Sequence, residues 1–297
     1  MNELHQNYLS NFLKYLSVLG YQSSTSYKKA VKELLERLEE KGKLLTELTK
    51  SDLEQHYDYL QKRPNYRTGG ALSVYTIKGY WFGLQLFFTY LEKTDQLPIN
   101  PMSGLSYSFP SLSTRKALSK AQIQSLYEVC ESHQDEALLA LFYGCGLRRS
   151  EAANLQLRDI DFRRQLLYVR RGKGKKRRVI PLTPKLVSDL KKYGYEERPQ
   201  QISKWTKTKD HKAYMLNKIG TAISGYRYWD HFKQMVKRTD LPKNTSLHHL
   251  RHSIATHLLE EGMELERVRD FLGHDFLETT QHYTHISNEQ LKMKNEK

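Results

Sequence analysis

The stretch "LHHLRHSIATHL", residues 247–258, gathers four of the chain's twelve histidines around a single arginine. Leu247, Leu250, Ile254 and Leu258 recur at three and four positions, the period of a helix with one face against a core. At about 100° per residue they span an arc of roughly 80°. His248 and Arg251 lie about 60° apart at its border, so both can point at one object. The stretch can be a metal site, a core helix rich in histidine, or a clamp for an anion. Zinc requires a complete set of imidazole, thiolate or carboxylate ligands. Only His248 and His252 share one face at i, i+4, no cysteine lies near, and Arg251 would repel a dication. The stretch alone leaves the core helix and the anion clamp open.

The surrounding chain narrows the choice. At 297 residues it exceeds the usual size of one domain, and its hydrophobic and aromatic content can bury a real core. The net charge is +15, unevenly placed. Residues 1–110 carry 13 Lys+Arg and 11 Asp+Glu, whereas residues 111–297 carry 35 and 22. A basic C-terminal part points to a polyanion, nucleic acid ahead of an anionic membrane surface. No apolar run is long enough to span a membrane, and the N-terminus "MNELHQNYLSNFLKYL" lacks the pattern of a signal peptide. Cys130 and Cys145, the only cysteines, sit in apolar helical surroundings, which predicts reduced thiols and a cytoplasmic protein.

Helical stripes run through the first hundred residues: Tyr8, Phe12, Tyr15; Tyr27, Val31, Leu34, Leu38; Leu53, Tyr57, Leu60; and Val74 through Leu91. Each reads as core. The Pro- and Ser-rich "LPINPMSGLSYSFPSLSTR" predicts a linker over 98–114, after which "SKAQ" at Ser119 is a capping box that restarts a helix. "QLLYV" and "RRVIPL" around "RRGKGKK" predict a hairpin with Lys173 at its tip. Residues 191–213 read as a basic, polar loop. "YGCGLRRSEAANLQ" ends one helix at a glycine turn and begins another, placing Arg148 at the turn and Glu151 one helical turn on. "FLGHDFLETTQHYTHI" supplies His274 and Tyr283.

Taken in order, Arg148, Lys173, His248, Arg251, His274 and Tyr283 form a pattern that resembles the tyrosine recombinase family, the phage integrases and Xer-type recombinases. "GLRRSE", "GKGKKRRVIPL", "HHLRH", "LGH" and "HYTHI" match the family's boxes in order. "SSTSYKKAVKELLERL" and "SVYTIKGYWFGLQLFFTYL" are similar to its core-binding helices. The resemblance implies a mainly α fold with a small β-sheet in the catalytic domain, in three parts: an N-terminal helical core-binding (SAM-like) domain over 1–97, the linker over 98–114, and a catalytic domain over 115–297. It implies a C-shaped clamp around double-stranded DNA carrying specific recombination sites. It further implies a homo-tetramer on two sites, a monomer or dimer off DNA, exchange through a Holliday junction, and in some members a second recombinase as partner. Two departures stand out: Cys145 where the family often has threonine, and a short tail after Tyr283, the segment that family members commonly dock on the next protomer.

The implied chemistry suits these residue types. Attack on a phosphodiester builds negative charge on the non-bridging oxygens, and fixed guanidinium forks at Arg148 and Arg251 would stabilise that state selectively. His248 and His274 would add donors, and a histidine can accept the phenol proton. Tyrosine titrates near 10, so Tyr283 needs neighbouring positive charge to act as nucleophile. Lys173 would protonate the departing 5′-oxygen, its own pKa lowered by Lys175, Lys176, Arg177 and Arg178, which otherwise form a solvated phosphate grip. By resemblance, Glu151 orients its neighbours. A covalent intermediate conserves the ester's energy, so no metal, nucleotide or other cofactor is expected; the sequence has neither a Gly-x4-Gly-Lys loop nor an obvious acidic cluster for paired magnesium ions. The rival readings are a catalytically inactive DNA-binding accessory protein of the same fold and a type IB topoisomerase-like enzyme.

Overall fold

The computed structural model of the chain describes residues 1–21, 24–66, 68–109, 116–170, 177–203 and 212–273. Backbone packing divides the chain into two compact units, Met1–Leu112 and Ser113–Lys297.

Among the described residues the first unit has four α-helices, α1 (Glu3–Val18), α2 (Ser24–Glu40), α3 (Lys50–Lys62) and α4 (Val74–Lys93). Local chemistry sets their starts. Asn2, Thr49 and Ser73 each accept a backbone N–H from the first turn, and Asp52 answers Thr49 in a reciprocal box. The predicted stripes face inward except at Val74, which is exposed in the first turn of α4: Phe12, Val31, Leu34, Leu53, Leu60, Trp81, Leu84 and Phe88 are buried in one cluster. The expected linker over 98–114 is corrected in its first half. Met102 and Leu105 are buried in this same core, and Tyr107 stacks on Tyr57 at 3.8 Å and meets Trp81 edge-on. Burying those rings outweighs the looseness that proline and serine suggest.

The second unit opens with α5 (Lys120–Glu128), capped by Ser119 and Gln122 as expected from the capping box. There follow α6 (His133–Leu139), a π-helical turn over Ala140–Gly144, and α7 (Arg149–Ala153). A side chain at Gly144 would meet Leu186 Cδ2 at 2.1 Å, so a larger residue here would displace that leucine. The sheet is antiparallel, in the order β1 (Ile160–Asp161), β2 (Leu166–Val169), β3 (Arg178–Pro181). Leu167 pairs with Ile180 and Val169 with Arg178, so the hairpin forms where the alternation predicts it; β1 is an addition too short to read from sequence. Helices α8 (Pro184–Lys192), α9 (Arg198–Ser203), α10 (Gly225–Lys237), α11 (Leu247–Glu260) and α12 (Leu265–Leu272) follow among the described residues.

The loop predicted over 191–213 is a second correction. Its first part is helical, with a π-helical turn over Tyr193–Glu197 leading into α9. Tyr193 and Arg198 are buried; Arg198 donates to the carbonyls of Ala213 and Tyr214, and the Tyr193 hydroxyl accepts from Leu216 N–H. Two buried polar groups that find backbone partners hold a polar sequence in regular structure. The fold is thus mainly α with one small sheet. Among the described residues no helix is long and apolar enough to cross a membrane.

Candidate active site

The four histidines of the opening stretch separate once α11 is in place. His248 is exposed in the first turn. His249 Nδ1 accepts the Ser246 N–H at 3.1 Å and closes the helix start. His252 is half-buried on the next turn. His257 is buried, its Nδ1 lying 2.9 Å from the Tyr143 hydroxyl; burial lowers its pKa, so it is a neutral core residue. The helix also sits rotated from the simple leucine stripe. Ile254 and Leu258 are only partly buried, while Arg251, Ser253 and Ala255 are inside. Leu118 N–H donates to Ser253 Oγ, and α12 packs on another side, so α11 is enclosed more widely than an amphipathic surface helix. Among the described residues no group of histidine, cysteine and acidic side chains could hold a metal ion.

Arg251 enters from the buried side, with 3% of its surface exposed. It donates through Nη1 to the carbonyl of Gly146 and through Nη2 to that of Leu272, the latter at 2.6 Å. Gly146 makes the first contact possible. Its φ is +57°, a conformation natural to glycine, and a side chain there would meet Leu272 Cδ2 at 2.9 Å. The turn it forms delivers Arg148 as the residue just ahead of α7. Arg148 Nη1 donates to Glu151 Oε1 at 2.9 Å, and its backbone N–H donates to Oε2 at 2.8 Å. Its Nη2 donates to the Gly273 carbonyl at 2.6 Å.

Glu151 is the hub. Its side chain is 1% exposed and receives Arg148 on one side and both Nη groups of Arg178 on the other, at 2.9 and 2.8 Å. Arg251 lies 3.9 Å away. Burial alone would raise the carboxyl's pKa. The hydrogen bonds and charge of Arg178, the Arg148 N–H and the charge of Arg251 outweigh it and hold Glu151 at about 2. Arg178 therefore departs from the solvated grip expected of it. Its side chain is 9% exposed and its Nε donates to the Phe271 carbonyl at 2.8 Å. The reason is strand parity: Arg178 shares a face of β3 with buried Ile180, whereas Arg177 is exposed. That parity was available in "RRVIPL".

The carbonyls of Phe271, Leu272 and Gly273 thus accept from Arg178, Arg251 and Arg148 respectively. These are groups at the C-terminal end of α12, which a helix leaves without intrahelical partners and where its dipole is negative. Gly273 closes the helix at φ +66°. Three guanidinium groups converge on one carboxylate among the described residues, and Arg148 keeps 23% of its side chain open to solvent. Lys173, Lys175, Lys176, His274 and Tyr283 lie outside the described residues.

The phage integrase family model matches residues 116–290 of the chain. The chain belongs to this family. It is 30% identical over 296 residues to "Tyrosine recombinase XerC 2" of Ralstonia nicotianae, covering 96% of this chain and 83% of that protein. It is 31% identical over 285 residues to a tyrosine recombinase of Thermosipho africanus, covering 95% and 94%. Its fold is similar to that of the Tn1549 transposon integrase solved in complex with circular intermediate DNA, with TM-score 0.69, 20% identity, and coverage of 93% and 94%. As a tyrosine recombinase of the phage integrase family, the chain is a DNA strand transferase, and the Arg148–Glu151–Arg251 cluster falls inside the family-matched region.

Proposed function

We propose that this chain is a site-specific recombinase that breaks and rejoins double-stranded DNA through a 3′-phosphotyrosyl intermediate. The carrying observation is the convergence of Arg148 and Arg251, from two separate elements, on the segment that leads into His274. Three guanidinium groups gather around one carboxylate among the described residues, a net positive cluster whose forks suit the paired oxygens of a phosphodiester.

In this reading the forks of Arg148 and Arg251 hold the non-bridging oxygens, aided by His248 and His274. The Tyr283 oxygen attacks phosphorus and its proton passes to a neighbouring base. The bond from phosphorus to the 5′-oxygen breaks, and Lys173 protonates the leaving oxygen. The phosphoester is conserved on the tyrosine, so the reverse attack by a 5′-hydroxyl reseals the strand with neither metal nor nucleotide. The +13 net charge of residues 111–297 supports salt-dependent binding of duplex DNA.

The test is trapping on nicked suicide duplexes made from DNA flanking the gene. Wild type should accumulate a covalent protein–DNA adduct, and Tyr283→Phe should abolish it while binding persists. Adducts formed by Tyr283→Phe would place the nucleophile elsewhere. Binding without adducts in the wild type would favour a non-catalytic accessory role.

A further inference from the structure

We propose that Arg178 is a positioning residue of the site: it locks β3, the arginine turn and the end of α12 into one rigid unit and thereby orients Arg148. The inference rests on the strand-cleavage reading above. One guanidinium reaches three things at once. It sits on β3, five residues after Lys173. Both its Nη groups grip the Glu151 carboxylate that also orients Arg148, and its Nε grips the Phe271 carbonyl two residues before Gly273.

Several observations separate this from a phosphate grip. All three of its guanidinium nitrogens donate to protein acceptors at 2.8–2.9 Å, two of them to the oxygens of one carboxylate that neutralises the charge. A side chain at Gly273 would come within 3.0 Å of Arg178 Nη1, so the α12 cap and this guanidinium are packed as a pair. A planar fork is needed, because an ammonium is a single point that cannot span two carboxylate oxygens and a carbonyl. Arg178→Lys therefore keeps the charge and loses the geometry.

The test uses the full-length chain with Arg178→Lys and with the double variant Glu151→Gln/Arg178→Gln, which replaces the ion pair by two amides. On the nicked duplex at saturating DNA, Arg178→Lys should slow adduct formation about 100-fold, with the DNA Kd changed less than about threefold. Exchange of backbone amides in residues 265–273 of the free protein should rise about tenfold, with α10 unaffected. The double variant should recover thermal stability without recovering cleavage, which keeps the question answerable if Arg178→Lys folds poorly. A near wild-type cleavage rate for either variant overturns the proposal. So does a loss confined to DNA affinity, which would make Arg178 a phosphate contact. If the wild type forms no adduct, the cleavage reading fails on its own, and unchanged exchange at 265–273 still decides against the positioning role.

Discussion

Between Met1 and Leu112 the core is aromatic and aliphatic, and His5, His56 and Arg63 are its only buried polar or charged residues among those described. Between Ser113 and Lys297 eleven such residues are buried among those described, Glu151 and Arg251 at their centre. Both units are helical and both bury a hydrophobic core, yet they use burial differently. The first gains stability from rings packed edge to face around Trp81 and Phe87. The second accepts the cost of burying charge in order to hold guanidinium groups in fixed orientations, a cost that hydrogen bonding to backbone carbonyls offsets. A unit built for shape and a unit built for charge placement should respond to different insults.

The largest expected effect is in the second unit. Glu151→Gln should lower its stability by about 3 kcal/mol, from the gap between a folded pKa of about 2 and the ordinary value of 4.5. The group is depressed in the fold, so its contribution is fully present above about pH 5.5 and is lost as pH falls toward 2. Denaturation followed by exchange of peptides from residues 113–297 would show it. A loss spread equally over both units would break the contrast.

A smaller effect of different origin belongs to the first unit. Burial, then the charges of Arg37, Arg63 and Lys41, depress His56 to about 3, and neither ring nitrogen has a hydrogen-bond partner. Its unfolded form takes up a proton near pH 6.5 and its folded form does not, so stability falls as pH drops from about 7 toward 3. At pH 5 the cost is about 2 kcal/mol. His56→Phe should remove that dependence in peptides from residues 50–62. An acid sensitivity unaltered by the substitution would assign it to another group.

The smallest effect sharpens the boundary between the units. Tyr107→Ala should cost the first unit about 1–2 kcal/mol, because it deletes the stack on Tyr57 and the edge contact with Trp81. An unchanged melting transition would return residues 98–109 to the status of a linker.

Much of this was legible in short windows. The Ser119 capping box and the β2–β3 hairpin depend on neighbours a few residues away, and they appear where the residue pattern puts them. Two further signals lie in residue alternation. In "LSYSF" the large side chains Leu105, Tyr107 and Phe109 alternate with serines, the mark of an extended segment lying on a core. In "RRVIPL" the same alternation sets Arg178 on the inward face with Ile180, despite its place in a run of cations. The helicity of residues 193–203 was not legible, because it depends on Arg198 reaching the carbonyls of Ala213 and Tyr214.

The linear order of residues settled the helix starts, the strand pairing and the surplus of positive charge, since these follow from local hydrogen bonding, alternation and composition. Resemblance to the family singled out Arg148 and Arg251 together. Only the folded chain decided what each arginine holds: Glu151 for Arg148 and Arg178, and one successive carbonyl at the end of α12 for each of the three. Those acceptors are backbone groups that every residue carries, so nothing in the sequence distinguishes them. They became binding partners because packing brought the end of one helix against residues up to 125 positions away.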